Sequence, residues 1–283
     1  MPPDGSIHLG SRLSYLALYP AMYTLGVYLL AVLALELPSP DWHTVTYILL
    51  IAHSCYLLDR VKLSDNRQDP ADAIALPDRA LLFAERSRSI RAVLVLELLL
   101  AMVSGFLISP LLTLIPLGAL FGVHLYAGRG ASPGRPRFKD IRGLKSFFIS
   151  SAHLALVIAA LWGNDHDLIE HPRLILIFGL LGIWLIVSAD AILCDLDDME
   201  SDAIYATHSI PVLLGPSRAW GVALVIMTLG AACLFLRHAF TLPLTFASIA
   251  ILLSALPTLK SRNRRDLIDA RLLPIAVIAL LLR

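Results

Sequence analysis

Apolar residues in this chain fall in long blocks rather than in alternating patterns. Nine blocks stand out, at roughly 13–35, 42–58, 90–108, 111–127, 146–162, 174–192, 219–236, 242–258 and 272–282. The third and fourth part only at Ser109–Pro110, and the ninth is short. Runs of this kind match the hydrocarbon thickness of a bilayer. In lipid each must be a helix, because a strand would leave backbone groups unpaired. The pattern predicts an all-α polytopic membrane protein with nine transmembrane helices in one domain, 1–283. The first block is too long for the apolar region of a signal peptide and is expected to stay as a span.

Composition agrees. Of 283 residues, 57% are hydrophobic and only 16% charged, with a mean hydropathy of +0.74; a soluble domain carries about a quarter charged residues. A net charge of +1 gives no reason to expect nucleic acid. Cys55, Cys194 and Cys233 form neither a disulfide framework nor a zinc spacing. Charge placement is more informative. Nine spans put residues 1–12, 59–89, 128–145, 193–218 and 259–271 on one side. Of the 23 Lys and Arg, only Arg173, Arg237 and Arg283 fall on the other. By the positive-inside rule, the N-terminus and the long loops are cytoplasmic, and chemistry is expected there. The setting is an integral membrane protein of a prokaryotic inner or plasma membrane.

The sixth block ends in a dense run of acids, "CDLDDMESD" (Cys194–Asp202). On a helix continuing through Asp202, at about 100° per residue, Asp195, Asp198 and Asp202 fall within about 60° of one another. Asp197 and Glu200 point away, toward solvent or a basic loop. Three carboxylates on one face repel unless a cation lies between them. Oxygen-only ligands select a hard ion, magnesium or calcium, and magnesium completes its shell with water and substrate phosphates. The plain alternative is a solvated helix end. A second cluster weighs against it: "AHSCYLLDRVKLSDNRQDP" (Ala52–Pro70) carries Asp59, Asp65 and Asp69 beside Arg60, Lys62 and Arg67. Cys55–Asp59 and Cys194–Asp198 share a Cys-x-x-x-Asp pattern, a short echo that puts two acidic helix ends at one cavity. A metal pair over one diphosphate would use such an arrangement. Between the fourth and fifth blocks runs a Gly/Pro-rich basic loop, His124–Phe147, with Arg129, Arg135, Arg137, Lys139, Arg142 and Lys145. Most of these simply obey the positive-inside rule. Lys139 and Lys145 flank the re-entry into the membrane and are the better candidates for neutralising phosphate oxygens.

These residues resemble the UbiA superfamily of intramembrane prenyltransferases. "CDLDDMESDAIYATHSIPVLLG" is similar to the second aspartate-rich motif with its Thr-Leu-Pro-Val-x-Leu-Gly tail, here Ser209 to Gly215. Asp195, Asp198 and Asp202 take the acid positions. In the looser first motif Asp59 takes the later Asp, and Asp65 the longer spacing. Tyr126, Lys139 and Lys145 match the Tyr-Ser-x-Pro…Leu-Lys…Gly-Leu-Lys segment. The departures are Cys55 and Tyr56 for the first motif's Asn-Asp, Cys194 for the second motif's Asn, His208 for an Arg, and Tyr19 where a basic residue is expected.

The resemblance implies nine helices around a lipid-accessible cavity with aspartate-rich cytoplasmic caps. It implies magnesium-dependent transfer of an isoprenyl group from a prenyl diphosphate to a small lipophilic, often aromatic, acceptor. Asp59, Asp65, Asp195, Asp198 and Asp202 are then the metal ligands, with Asp59, Asp198 and Asp202 central to catalysis. Tyr126, Lys139, Lys145, Arg60 and Arg67 are the diphosphate-binding groups. Asp190, inside the sixth block, is read either as an acceptor-side base or as a paired packing residue. Glu97 and the histidines His53, His124 and His153 are expected in packing. Tyr15, Tyr19, Tyr23, Tyr28, Phe106 and Trp184 are candidates to face an allylic cation. Rival readings are a terpene cyclase of the same type, a non-catalytic prenyl-lipid-binding relative and, less favoured, a transporter, whose sites usually lie nearer mid-membrane.

Overall fold

The computed structural model describes residues 13–62, 76–127, 137–164, 172–204, 206–235 and 261–281. Every regular element among them is a helix. In chain order these are α1 (Leu18–Ala34), α2 (Trp42–Val61), α3 (Pro77–Ile108), α4 (Ile115–Ala127), α5 (Leu144–Gly163), α6 (Arg173–Asp195), α7 (Met199–Ile204), α8 (Ile210–Leu214), α9 (Pro216–Phe235) and α10 (Ser261–Leu281). Short 3-10 turns at Pro110–Leu114 and Phe138–Asp140 precede α4 and α5.

Local sequence explains the boundaries. Asp41 caps α2 by accepting from the Thr44 N–H at 2.7 Å. Pro77 opens α3, where its missing N–H costs nothing. Ser109–Pro110 ends α3, and the chain turns straight into α4. Gly143 precedes α5 in the left-handed conformation (φ +67°), which a side chain would strain.

Four described helices are long and apolar enough to cross a membrane: α3, α5, α6 and α9. Helix α1 and the Pro110–Tyr126 run are apolar but shorter. The expected eighth span, 242–258, lies outside the described residues. Two helices extend well past their predicted spans. Helix α3 starts at Pro77 rather than near 90, and α10 at Ser261 rather than near 272. The added turns are built from Ala, Leu, Arg and Glu in one case and from Arg, Asp, Leu and Ile in the other. Polar helix formers carry a helix beyond the point where hydropathy stops. A non-helical residue, Arg86, kinks α3 where its polar and apolar parts meet.

Helix α6 is the central element. Of its apolar window 61% is buried, against 22% for α3. It packs on α9, α5, α1 and α10, while α1 packs on α10 and α2 on α3. Tyr28, Tyr47, Ile48, Leu161 and Ile183 make the fully buried middle. Leu96, Leu99, Val103, Phe106 and Leu107 of α3 face outward, as lipid-facing residues do in a helical membrane protein. Where α6 and α9 cross, Gly182 and Gly230 meet, and a Cβ on Gly182 would stand 2.9 Å from the Gly230 carbonyl. Glycine at both positions lets the two backbones touch.

Candidate active site

The acidic run does not continue α6 as one helix, as the sequence suggested. Helix α6 stops at Asp195, a tight turn covers Leu196–Asp198, and α7 starts at Met199. The turn keeps helical sense, because the Asp198 N–H donates to the Asp195 carbonyl at 3.2 Å and the Asp202 N–H to the Asp198 carbonyl at 2.8 Å. The three carboxylates therefore still converge. Asp197 points the other way and pairs with Arg264 of α10, while Glu200 is exposed.

At the point of convergence sits the Lys145 ammonium. Its Nζ lies 2.8 Å from Asp195 Oδ1, 3.5 Å from Asp198 Oδ2, and 2.8 and 3.0 Å from the two Asp202 oxygens. Ser146 donates to the remaining Asp195 oxygen at 2.8 Å. Lys145, Asp195 and Asp202 are buried; Asp198 is half-buried. Lys145 is the second residue of α5, and its place is fixed by the preceding loop. There the Gly143 N–H donates to the His208 carbonyl at 2.8 Å. Asp140 accepts from the Thr207 hydroxyl at 2.7 Å and from Arg137 at 3.0 Å. The basic loop and the segment after the acidic run are thus one clamp.

Asp198 has a second cation. Arg265 of α10 donates to both its oxygens, at 2.8 and 3.2 Å. Burial alone would raise the Asp198 carboxyl, but Arg265 and Lys145 outweigh it and hold the group well below the usual carboxylate range.

Asp59 ends α2 and pairs with Lys62 at 2.7 Å. Burial raises it, yet Lys62 and Lys139 together keep it well below the ordinary value. The Tyr126 phenol lies within electrostatic range of Lys145, Asp195, Asp59 and Asp202, and its ring stacks on Phe148, centroids 5.2 Å apart. Lys139 is pushed down by burial against the pull of Asp59, with Lys62 and Lys145 as like-charged neighbours. Asp59, Tyr126, Lys139, Lys145, Asp195, Asp198 and Asp202 are therefore brought together. Arg60 lies at the edge of this group and donates to the Ser14 and Tyr15 carbonyls, which ties α2 to the entry of α1. Asp65 and Arg67 lie outside the described residues.

Asp190 is not with them. It is buried within α6, accepting from the Tyr23 hydroxyl at 2.7 Å and from Arg271 of α10. His153 packs edge-on against Tyr23 and lies 3.1 Å from the Tyr56 hydroxyl, with its other nitrogen on the Ile149 carbonyl at 2.8 Å. His53 sits between Glu97 and the Leu16 carbonyl. Among the aromatic candidates Phe106 is 62% exposed on the outer surface. Tyr28 is fully buried, and Trp184 stacks on Phe147.

Sequence reasoning did not single out Arg264, Arg265 and Arg271, the cations that α10 supplies to Asp197, Asp198 and Asp190. The available signal was the run "RNRRDLIDAR" (Arg262–Arg271), whose charges recur at helical spacing. By sequence alone the run reads as cytoplasmic positive charge.

The donor set suits magnesium, since the convergent acids offer only oxygen. The ammonium among them is itself a stand-in cation. As the side chains stand, no three described His, Cys, Asp or Glu residues are grouped to hold a metal.

No family model and no curated protein matches the sequence. Solved structures do. A UbiA homologue from Aeropyrum pernix K1, in its apo form, superposes with a TM-score of 0.66 at 14% identity, over 93% of this chain and 97% of that one. The fold is that of the UbiA homologues. A UbiA homologue from Archaeoglobus fulgidus bound to DMAPP and Mg2+ aligns with a TM-score of 0.55 at 17% identity, over 95% of this chain and 99% of the other. A digeranylgeranylglyceryl phosphate synthase matches at 0.54 and 14%, over 95% and 96%. The UbiA-like helix arrangement thus extends along almost the whole chain.

Proposed function

We propose that this protein is an intramembrane prenyltransferase of the UbiA type. It takes an allylic prenyl diphosphate and passes the isoprenyl group to a lipophilic or aromatic acceptor. The observation that carries this reading is the convergence of Asp195, Asp198 and Asp202 on one cation at the end of an apolar helix bundle, with Tyr126 and Lys139 in electrostatic range of that cation and of Asp59. Magnesium, held by Asp59, Asp195, Asp198 and Asp202 with Asp65 of the first motif, would draw electron density from the diphosphate. In the A. fulgidus homologue the ligands were DMAPP and Mg2+.

The chain's own residues supply the rest. Lys139 lies by Asp59, so a diphosphate next to it gains a charge-assisted partner. Tyr126, in electrostatic range of Asp59, Asp195 and Asp202, would orient the leaving group. Arg265 holds Asp198 ionised and in place. The apolar helix faces exclude water from the allylic cation, which water would otherwise quench. Asp190, engaged by Tyr23 and Arg271, ties α1, α6 and α10 together and fixes the wall of the bundle. Positive charge on the long loops favours a cytoplasmic site.

A second reading is a relative that binds prenyl lipid without turning it over. Cys55 and Tyr56 in the first motif, and a cradle already filled by Lys145, favour it. Diphosphate release decides between the two. Turnover of geranyl, farnesyl or geranylgeranyl diphosphate by purified protein with magnesium supports the enzyme; binding of these donors without release supports the relative.

A further inference from the structure

The notable feature of the acidic cradle is that it is already occupied by a side chain of the same protein. Lys145 Nζ has three protons and three carboxylates around it, with four oxygens between 2.8 and 3.5 Å. Its backbone is anchored by the Gly143 contact to His208, and its side chain is buried. A divalent ion among Asp195, Asp198 and Asp202 would need the same oxygens. An ammonium and a dication cannot both occupy that point without strong repulsion.

We infer that Lys145 is a built-in counter-ion that competes with the metal for this cradle. The inference rests on the prenyltransferase reading. It gives Lys145 two stations. With no substrate, the ammonium neutralises the three acids and keeps them converged. When a metal enters with a diphosphate, the metal takes the carboxylates and the displaced ammonium gains the phosphate oxygens as its new partner. Tyr126 and Lys139, which lie within electrostatic reach of Lys145, mark where those oxygens would be. Metal and diphosphate then enter cooperatively. The metal alone must displace an ammonium that has nowhere favourable to go, whereas the metal with diphosphate provides it a partner. By linkage the coupling is reciprocal, so each ligand tightens the other.

The test is binding of Mn2+ alone, read by the loss of the free-ion electron paramagnetic resonance signal, on detergent-purified full-length protein. The variants are Lys145→Met, which removes the charge and keeps the length, and Lys145→Gln, which keeps a donor to the same carboxylates and guards against loss of fold. Both should bind Mn2+ on the order of tenfold or more tightly than wild type, because the competing charge is gone. Adding Asp202→Asn to Lys145→Gln should reverse the gain, which assigns it to this cradle. Equal or weaker Mn2+ binding in the folded variants would overturn the inference, and so would a gain that survives Asp202→Asn. Magnesium-dependent diphosphate release by the wild-type protein, measured in parallel, tests the enzymatic reading separately. Tighter Mn2+ binding, with neither release nor binding of any prenyl diphosphate by wild type, would leave the competing lysine standing and remove the transferase.

Discussion

At the scale of single residues, the site is a set of carboxylates each matched to a named cation. Asp190 and Arg271 are both buried, and removing the carboxylate takes an opposite charge away from the guanidinium in a low dielectric. Asp190→Ala should therefore destabilise the protein by about 3–5 kcal/mol. Changing both residues to apolar ones of similar volume should recover most of that loss. Thermal midpoints in detergent check the pair. Asp269, on α10 just before the 272–282 stretch, behaves differently. Burial pushes its carboxyl up to about 7, helped by Asp266 and Asp190 and opposed by Arg265 and Arg60. An unfolded Asp titrates near 3.9, so the folded state holds this proton more tightly. Stability from this group is full below about pH 4 and falls as pH rises toward 7. Asp269→Asn should flatten the decline in melting temperature between pH 5 and pH 7.5; an unchanged slope would contradict the assignment. The convergence of Asp198 with Asp195 and Asp202 was legible because their spacing is helical. The Asp198 partner Arg265 was not, since 67 residues separate them and only tertiary packing joins them.

Helix α10 explains why much of the site escapes sequence reading. Its apolar end looks like a short ninth span, yet the same helix delivers Arg264, Arg265 and Arg271 to the acids of α6 and its following turn. Hydropathy marks where a helix meets lipid and is silent on polar turns beyond. The same limit misplaced the start of α3. By contrast, the clamp between the basic loop and residues 207–208 begins with motifs that were visible as such, and the structure joins them through Asp140 and Gly143. The α6–α9 crossing makes its own prediction. Gly182→Ala forces the helices apart or the Leu234 side chain aside, and should cost about 1–3 kcal/mol. Gly118, with nothing near its Cβ position, is the control, and Gly118→Ala should leave the melting temperature near or slightly above that of wild type. Equal melting of the two variants would contradict the close contact.

For the molecule as a whole, the apolar blocks were enough to indicate an all-helical membrane protein, because bilayer thickness imposes a length that few other constraints imitate. The acidic motifs were enough to mark a candidate site at the ends of α2 and α6. What remained hidden was charge balance. Asp195, Asp198 and Asp202 read as a bare acidic stripe, whereas in the fold they are already compensated by Lys145 and Arg265. That balance allows a bundle of apolar helices to carry so many buried carboxylates before any ligand arrives.

The central claim is that this cradle ionises a prenyl diphosphate. The measurement that tests it most directly is release of inorganic diphosphate by purified protein from geranyl, farnesyl and geranylgeranyl diphosphates, with and without magnesium. Release with at least one donor, abolished by EDTA and lowered about 100-fold or more in Asp198→Ala and Asp202→Ala, is the predicted result. Full activity in both variants, or wild-type release unaffected by EDTA, would contradict it.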